Sequence, residues 1–206
     1  MTPRAVIFDI GNVLIQWQPE AYFDRLAGPE RCRAMFAAVD IHAMMNRIDA
    51  GADFAGEVAR TAAAHPEYAT EVLHFRDHWC DIAQPAIAHS VRLLNALRAR
   101  RIPVFALSNF GVQNFPLSAA QFPFLRQFDR AYISGRMGLI KPDPAIYAAV
   151  EADCGLPPDA LLFTDDRDDN IAAAAARGWQ VHHFNGATGL ARRLVDSGLL
   201  TPKEAT

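Results

Sequence analysis

Short apolar segments recur along the chain, with longer amphipathic segments between them. Five of the apolar segments have the length and the Val, Ile, Leu and Phe content of buried strands. Strands that alternate with helices are typical of βαβ units, so we predict an α/β fold with a parallel sheet covered by helices on both faces. The five predicted strands are Ala5–Phe8, Val104–Leu107, Ala131–Ile133, Leu161–Phe163 and Val181–Phe184.

Several of the predicted helices carry recognisable signals at their ends. Ser90 and Asp143 are predicted N-caps, since short polar side chains can accept a hydrogen bond from a free N–H of the first turn. Gly178 follows an alanine-rich segment and is a common signal for a helix C-terminus. The corresponding predicted helices are Val91–Arg101, Pro144–Val150 and Ile171–Arg177.

One gap between predicted strands is too long for a single crossover helix. It lies between the first strand and Val104, and about half of it has helical periodicity. We interpret residues 17–85 as a helical cap inserted after the first strand, with residues 1–16 and 86–206 forming the core. A cap in this place can exclude water and select the substrate, although helices that merely pad the core are the alternative. The predicted cap helices are Ala21–Leu26, Arg31–Val39, Ile41–Ile48, Phe54–Ala64 and Tyr68–Trp79.

Composition and charge restrict the partners that we expect. The chain has 206 residues, of which 51% are hydrophobic, and a formal net charge of −3, so it offers no broad basic face for nucleic acid. No apolar run reaches membrane-spanning length and the N-terminus lacks a signal-peptide layout, so we expect no membrane attachment. Cys32, Cys80 and Cys154 are widely spaced, which is typical of reduced thiols in a cytoplasmic protein. Nothing in the pattern indicates an oligomeric state.

Four polar clusters stand at or just beyond the ends of predicted strands. The carboxyl ends of parallel strands meet at one edge of a sheet, so we expect these clusters to converge. Carboxylates gathered there would repel one another unless a divalent cation neutralised them, and Mg²⁺ binds carboxylates together with phosphate oxygens. A carboxylate can also attack phosphorus, while hydroxyl, amide and ammonium groups stabilise the transferring phosphoryl group. The clusters are Asp9, Ser108 with Asn109, Lys141, and Asp165 and Asp166 with Asn170.

In order and in type, these clusters resemble the four sequence motifs of the haloacid dehalogenase superfamily. The first is Phe-Asp-Ile-Gly-Asn-Val around Asp9, the second Ser-Asn at Ser108, the third Lys-Pro at Lys141, and the fourth the aspartate pair that starts at Asp165. The resemblance implies a Rossmann-like core, a helical cap of the C1 type, an aspartyl-enzyme intermediate and, usually, Mg²⁺. The first motif is most similar to that of small bacterial sugar-phosphate phosphatases of the α-glucose-1-phosphate type.

The resemblance also implies a role for each residue. Asp9 is expected to be the nucleophile, and Lys141 is expected both to take part in catalysis and to bind the phosphoryl group. The implied function is a Mg²⁺-dependent phosphatase acting on a small phosphorylated metabolite, with sugar phosphates as the favoured class. The further phosphate-binding residues are Ser108 and Asn109; the metal ligands are Asp9, Asp166 and the backbone carbonyl of Gly11; and Asp165 and Asn170 support the metal site.

Gly11 departs from the superfamily pattern. Most of its phosphatases have a second aspartate two residues after the nucleophile, which serves as general acid and base, and a glycine cannot do this. Three explanations stay open: an anomeric phosphate departs with less protonation, a water or a cap histidine substitutes, or the chemistry is different. The candidate cap histidines are His42, His65, His74 and His78.

Two alternatives to a phosphatase follow from Gly11. The dehalogenases of the superfamily also lack the second aspartate, and they attack an alkyl halide carbon without a metal. Their first motif resembles Asp-x-Tyr-Gly-Thr and their fourth lacks paired aspartates, so Asp165 and Asp166 favour a phosphatase. The other alternative is a non-catalytic ligand-binding or regulatory protein on the same scaffold, and retention of the remaining site residues argues against it.

Overall fold

A five-stranded parallel sheet lies at the centre of the computed structural model, which describes residues 2–206. The strand order is β3-β2-β1-β4-β5, which places the first strand between the second and the fourth. The predicted α/β fold is therefore confirmed. The strands are β1 Ala5–Phe8, β2 Val104–Ser108, β3 Arg130–Ile133, β4 Leu161–Asp165 and β5 Gln180–His183.

Alternate residues of β1 point into two separate hydrophobic clusters. Val6 and Phe8 belong to the cluster that continues into the helices of the segment after β1. Ala5 and Ile7 belong to a smaller cluster on the other face, which contains Tyr147. Because both faces of the strand are buried, its sequence is continuously apolar rather than alternating.

The helices that follow β1 fill the long gap between the first two strands. The chain enters and leaves this segment side by side, since Ile15 forms an antiparallel bridge with Ala86. Gln16 N donates to Pro85 O at 2.9 Å, and Ile87 N donates to Leu14 O at 2.8 Å. We call this pairing the hinge. Six α-helices lie between the two segments of the hinge: α1 Pro19–Ala27, α2 Pro29–Ala38, α3 Ile41–Asp49, α4 Phe54–Ala64, α5 Ala69–Asp77 and α6 Trp79–Ile82.

The predicted helix Tyr68–Trp79 corresponds to α5, which ends at Asp77, and the last predicted residue, Trp79, begins α6. The chain turns at His78, whose φ of −127° is not helical, and α6 begins at the next residue. The turn buries Trp79, whose indole Nε1 donates to Ser118 Oγ at 2.8 Å. The helical period therefore continues across a turn that tertiary packing imposes.

The remaining helices cover the sheet. Ser90 is not an N-cap as predicted, because the helix begins at Ala88, after the hinge residue Ile87, and Ser90 is buried in its first turn. The Asp143 cap is confirmed, with Oδ1 accepting from Ala145 N at 2.8 Å. These helices are α7 Ala88–Ala99, α8 Asn114–Gln121, α9 Ser134–Met137, α10 Pro144–Cys154, α11 Asp168–Ala176 and α12 Ala187–Asp196.

Within residues 2–206, no helix is both long enough and apolar enough to cross a membrane.

Candidate active site

The predicted clusters do converge at the carboxyl edge of the sheet. The Lys141 ammonium lies between two carboxylates, with Nζ 3.0 Å from Asp9 Oδ1 and 2.5 Å from Asp165 Oδ2. Asp9, Asp165 and Asp166 each place a carboxylate oxygen within 4.8 Å of the others. The parallel register explains this convergence, because β1 lies directly between β2 and β4.

Asp165 is committed to interactions within the protein. It is fully buried, and besides the Lys141 ion pair both of its oxygens accept from Asn170 Nδ2 at 3.0 Å. Its Oδ1 also accepts from Arg167 N at 2.8 Å. These contacts occupy both oxygens, so the carboxylate is placed to hold Lys141 rather than a metal ion.

Asp166 has a different environment from its neighbour. It is only partly buried, and its Oδ2 accepts from Asn12 Nδ2 at 3.0 Å. Asn12 has a left-handed φ of 54°, and its Oδ1 accepts from Trp17 N at 2.9 Å. A ring nitrogen of His183 lies 3.0 Å from the backbone carbonyl of Asp166. Asn12 thus orients the side chain and His183 contacts the backbone, while the other carboxylate oxygen stays available.

Asn12 is a site residue that we did not single out from the sequence. The signal was present, since asparagine after glycine at the end of a strand tolerates the left-handed conformation that a tight turn needs. Its function in orienting Asp166 could not be inferred, because the two residues are 154 positions apart.

The electrostatics of the site show an excess of negative charge. Burial, together with repulsion from Asp165 and Asp166, raises the pKa of Asp9 to about 6, although Lys141 and a hydrogen bond from Ser108 act in the opposite direction. Burial also raises the pKa of Asp166. Burial by itself lowers the pKa of Lys141, but its two carboxylate neighbours outweigh that effect and the pKa is raised. One ammonium thus faces three carboxylates, and a divalent cation fits the remaining charge and the oxygen donors.

The second motif lies beside Lys141. Ser108 ends β2 and is buried next to Asp9. The side chain of Asn109 brackets the backbone of Lys141: Nδ2 donates to its carbonyl at 3.0 Å, and Oδ1 accepts from its N–H at 2.8 Å. Asn109 therefore fixes the loop that carries the lysine. Its predicted contact with phosphate stays a prediction.

A cavity of about 370 Å³ lies between the sheet edge and the helices after β1. The core contributes polar groups to it, whereas the other wall mixes aromatic and polar side chains. The core residues include Asp9, Gly11, Asn12, Ser108, Asn109, Lys141, Asp166 and Asn170, and the opposite wall includes Trp17, Glu20, His42, Met45, Asn46, Asp49 and Trp79.

Of the four candidate histidines, only His42 lines this cavity. His74 stacks on His78 with ring centroids 4.4 Å apart, and its Nδ1 lies 3.0 Å from Tyr22 Oη. His65 ends α4. Asp49, the last residue of α3, also lines the cavity and was missed, because nothing in its local sequence distinguishes it from an ordinary surface acid.

Comparison with known proteins identifies the family. The family model for haloacid dehalogenase-like hydrolases matches residues 3–178. The chain belongs to this family.

Solved structures share the fold. A HAD family enzyme from Bacteroides thetaiotaomicron has a TM-score of 0.72 at 20% identity, covering 90% of this chain and 95% of that one. The same enzyme in complex with magnesium and inorganic phosphate has a TM-score of 0.68 at 19% identity, covering 89% of this chain and 95% of that one. The L-2-haloacid dehalogenase of Xanthobacter autotrophicus, with chloropropionic acid covalently bound, has a TM-score of 0.63 at 19% identity. The match covers 98% of this chain and 86% of the dehalogenase.

A sequence relative is much larger than this chain. It is the drimenol cyclase of Aspergillus calidoustus, which is 28% identical over 93 residues, or 45% of this chain. The match spans only 18% of the cyclase.

Proposed function

We propose that this protein is a Mg²⁺-dependent phosphatase that hydrolyses a small phosphorylated metabolite, preferentially a sugar phosphate, through an aspartyl-phosphate intermediate. The observation that carries the proposal is the convergence of the Asp9, Asp165 and Asp166 carboxylates around Lys141. The magnesium and phosphate complex of the Bacteroides thetaiotaomicron relative supports it.

Two of the carboxylates are proposed to hold the metal. Asp9 and Asp166 would bind Mg²⁺ together with the Gly11 backbone carbonyl, since Asp165 is occupied by Lys141 and Asn170. When bound, Mg²⁺ would supply the positive charge that lets the carboxylates approach a phosphate dianion and that polarises its oxygens. The donor set is made of oxygens only, as this cation prefers.

Asp9 is the proposed nucleophile. Its carboxylate attacks phosphorus, the bond from phosphorus to the leaving oxygen breaks, and water later cleaves the acyl phosphate. Lys141 and Ser108, both buried beside Asp9, are proposed to stabilise the charge on the phosphoryl oxygens. Asn109 and Asp165 hold Lys141 in place through its backbone and its ammonium.

The proposed substrate class follows from the size and lining of the cavity. A volume of about 370 Å³ suits a small ligand. Trp17 offers an apolar face, and Gln16 and Asn46 offer hydrogen-bonding groups, as recognition of a sugar requires. We propose a cytoplasmic enzyme, in keeping with the free thiols of Cys32, Cys80 and Cys154.

Phosphate release from a panel of phosphorylated metabolites, with Mg²⁺ and with EDTA, tests the proposal. We expect turnover only with Mg²⁺, and Asp9→Asn is expected to abolish it while leaving the circular dichroism spectrum unchanged. Asp159→Asn is the control, because Asp159 is exposed and precedes β4, at the opposite end of that strand from Asp165. Undiminished turnover by Asp9→Asn would contradict the proposal.

Two further measurements separate the alternatives. Halide release from 2-haloacids that survives EDTA would indicate a dehalogenase. Binding of Mg²⁺ and phosphate analogues without turnover on the whole panel would indicate a non-catalytic protein.

A further inference from the structure

Helix α3 presents one polar face to the cavity and one apolar face to the hydrophobic core. Residues spaced at i, i+3, i+4 and i+7 lie on the same side of a helix, so the cavity-lining residues form a continuous stripe. The stripe ends at Asp49, at the C-terminus of the helix. Its members are His42, Met45, Asn46 and Asp49.

The C-terminal end of α3 is held firmly against the core. The Asp49 carbonyl accepts from Ser134 Oγ at 2.6 Å, and Ser134 Oγ itself accepts from Phe110 N at 2.8 Å. The approach is so close that a Cβ on Gly51 would lie 2.9 Å from Gly135 O. This contact fixes the position of Asp49 relative to the sheet edge that carries Asp9.

The carboxyl group of Asp49 is free to act on a ligand. Within residues 2–206, its side chain makes no hydrogen bond and no ion pair, unlike the carboxylates of Asp9, Asp165 and Asp166. Burial, and then the negative charge of Asp9, raise its pKa to about 7, while Lys141 acts in the opposite direction. Asp49 and the nucleophile Asp9 line the same cavity, from α3 and from the sheet edge. A carboxyl group with this pKa can both give and take a proton at neutral pH.

We propose that Asp49 is the general acid and base of this enzyme, supplied by the helical segment in place of a side chain at Gly11. The assignment rests on the proposed phosphatase function. In the first step Asp9 forms a bond to phosphorus, the bond to the leaving oxygen breaks, and that oxygen keeps the electron pair and takes the proton of Asp49. In the second step water attacks the aspartyl phosphate, the bond from phosphorus to Asp9 breaks, and the Asp49 carboxylate takes the proton of the water. The sum is one phosphate ester and one water converted to one alcohol and one hydrogen phosphate.

His42 is the competing candidate on the same face. It lies seven residues before Asp49, which is about 10 Å along the helix axis, and thus away from the docked end of α3. Asp49 instead lies at the docked end, where its backbone carbonyl accepts from Ser134 Oγ.

The dependence of rate on the leaving group tests this assignment. For Asp49→Asn we expect the turnover of an alkyl phosphate to fall by about 10²–10⁴-fold, since its alkoxide needs a proton. With 4-nitrophenyl phosphate, whose phenolate departs unprotonated, the variant should still release a burst of one nitrophenolate per protein. Slow turnover should follow, with the aspartyl phosphate accumulating as a mass increase of one phosphoryl group, because the second step lacks its base.

Two further variants make the test specific. Asp40→Asn changes an acid at the other end of α3, where asparagine caps equally well, and it should behave as wild type. His42→Asn should lose a similar factor on both substrates, if it loses activity at all. A nitrophenolate burst followed by slow turnover in His42→Asn would overturn the assignment, as would an Asp49→Asn variant that shows no nitrophenolate burst.

A rescue experiment guards against a simple structural defect. A Cβ at Gly11 would meet nothing closer than Trp17 Cβ at 3.9 Å, so a side chain can begin there without a clash. Gly11→Asp in the Asp49→Asn background should restore at least part of the alkyl phosphate activity, and failure to do so while the protein stays folded contradicts the proposal. Wild type and Asp40→Asn without phosphatase activity would remove the proposed function itself. An active wild type with an indistinguishable Asp49→Asn removes the assignment of Asp49 alone.

Discussion

The two walls of the cavity differ in how their polar side chains are held. On the sheet side, the charged groups contact one another: Lys141 bridges two carboxylates, and Asp166 is bound by Asn12. On the side of α3, the side chains of His42, Asn46 and Asp49 have no hydrogen-bond or ion-pair partner within residues 2–206. The groups on the sheet side are thus preorganised, whereas those on α3 are left for the substrate to engage.

This difference has an energetic reason. Charges buried at the sheet edge are costly unless each has a partner, so they must be paired before any ligand arrives. On the other wall, His42 and Asn46 are exposed and incur no such cost. The partly buried carboxyl group of Asp49 avoids it because its raised pKa favours the neutral form. Substitutions on the sheet side should therefore affect metal binding and folding stability, whereas substitutions on the α3 side should affect the kinetic constants.

The largest effect is expected at the sheet edge, from Asp166→Asn. The metal loses a charged ligand, and since a bound cation contributes several kcal/mol to stabilising the transition state, we expect turnover to fall by about 10³-fold. Phosphate release at rising Mg²⁺ concentration measures it. Full activity of Asp166→Asn at saturating Mg²⁺ would contradict the proposed role of Asp166 as a metal ligand.

The next effect is on folding, from Lys141→Met. Removing the ammonium leaves Asp9 and Asp165 buried without their cation, so we expect the free energy of unfolding to fall by about 3 kcal/mol. Urea denaturation measures this. The control is Lys203→Met, because Lys203 is the other lysine of the chain and is exposed. Equal stability of the two variants would contradict the paired-charge account.

On the other wall, Gly51→Ala should disturb the docking of α3. Its φ of 108° and the 2.9 Å approach of a Cβ to Gly135 O make the substitution strained, at a cost of about 1–3 kcal/mol. We expect a raised KM and a lower kcat together, because Asp49 and Asn46 move with the helix. Gly189→Ala is the control, since its Cβ would meet only His182 at 3.6 Å or more. Unchanged kinetics in Gly51→Ala would argue that α3 docks independently of this contact.

The smallest effect is expected at two ion pairs outside the cavity. Glu151 pairs with Arg177 among the helices that cover the sheet, and Glu71 pairs with Arg31 among the helices after β1. Hydrogen bonds from Arg177 and Trp179 lower the pKa of Glu151, and a hydrogen bond from Arg31 lowers that of Glu71. A carboxylate with a lowered pKa stabilises the fold above its ordinary value of 4.5, and this contribution is lost as the pH falls through the value in the folded protein.

We therefore expect Glu151→Gln to cost about 1 kcal/mol at pH 7, and less as the pH falls below 4.5. Glu71→Gln should cost less at pH 7, because one of its oxygens is buried without a partner. Thermal melts at pH 7 and pH 4 measure both, and a larger loss from Glu71→Gln would reverse the expected order.

The two regions also differ in what their sequences reveal. The strands and the convergence of Asp9, Ser108, Lys141 and Asp165 were predictable, because parallel topology brings strand ends together whatever the details of packing. The helices after β1 were predictable from their period, but their docking was not. Asp49 enters the cavity only because Ser134 and Gly135 accept the end of α3. Likewise the prediction of Ser90 as an N-cap was wrong, because the hinge rather than the local sequence sets where α7 begins.

The hinge has a consequence for how such a protein can change over generations. Because the chain leaves and re-enters the core at adjacent positions, Ile15 and Ala86, another insert of different length can be carried there with the sheet edge intact. The residues that select the substrate and the residues that react with phosphate are then encoded by separate parts of the gene. If Asp49 is the proton donor, however, the two are linked. A core that exchanges its insert loses its acid at the same time, unless Gly11 is replaced as well.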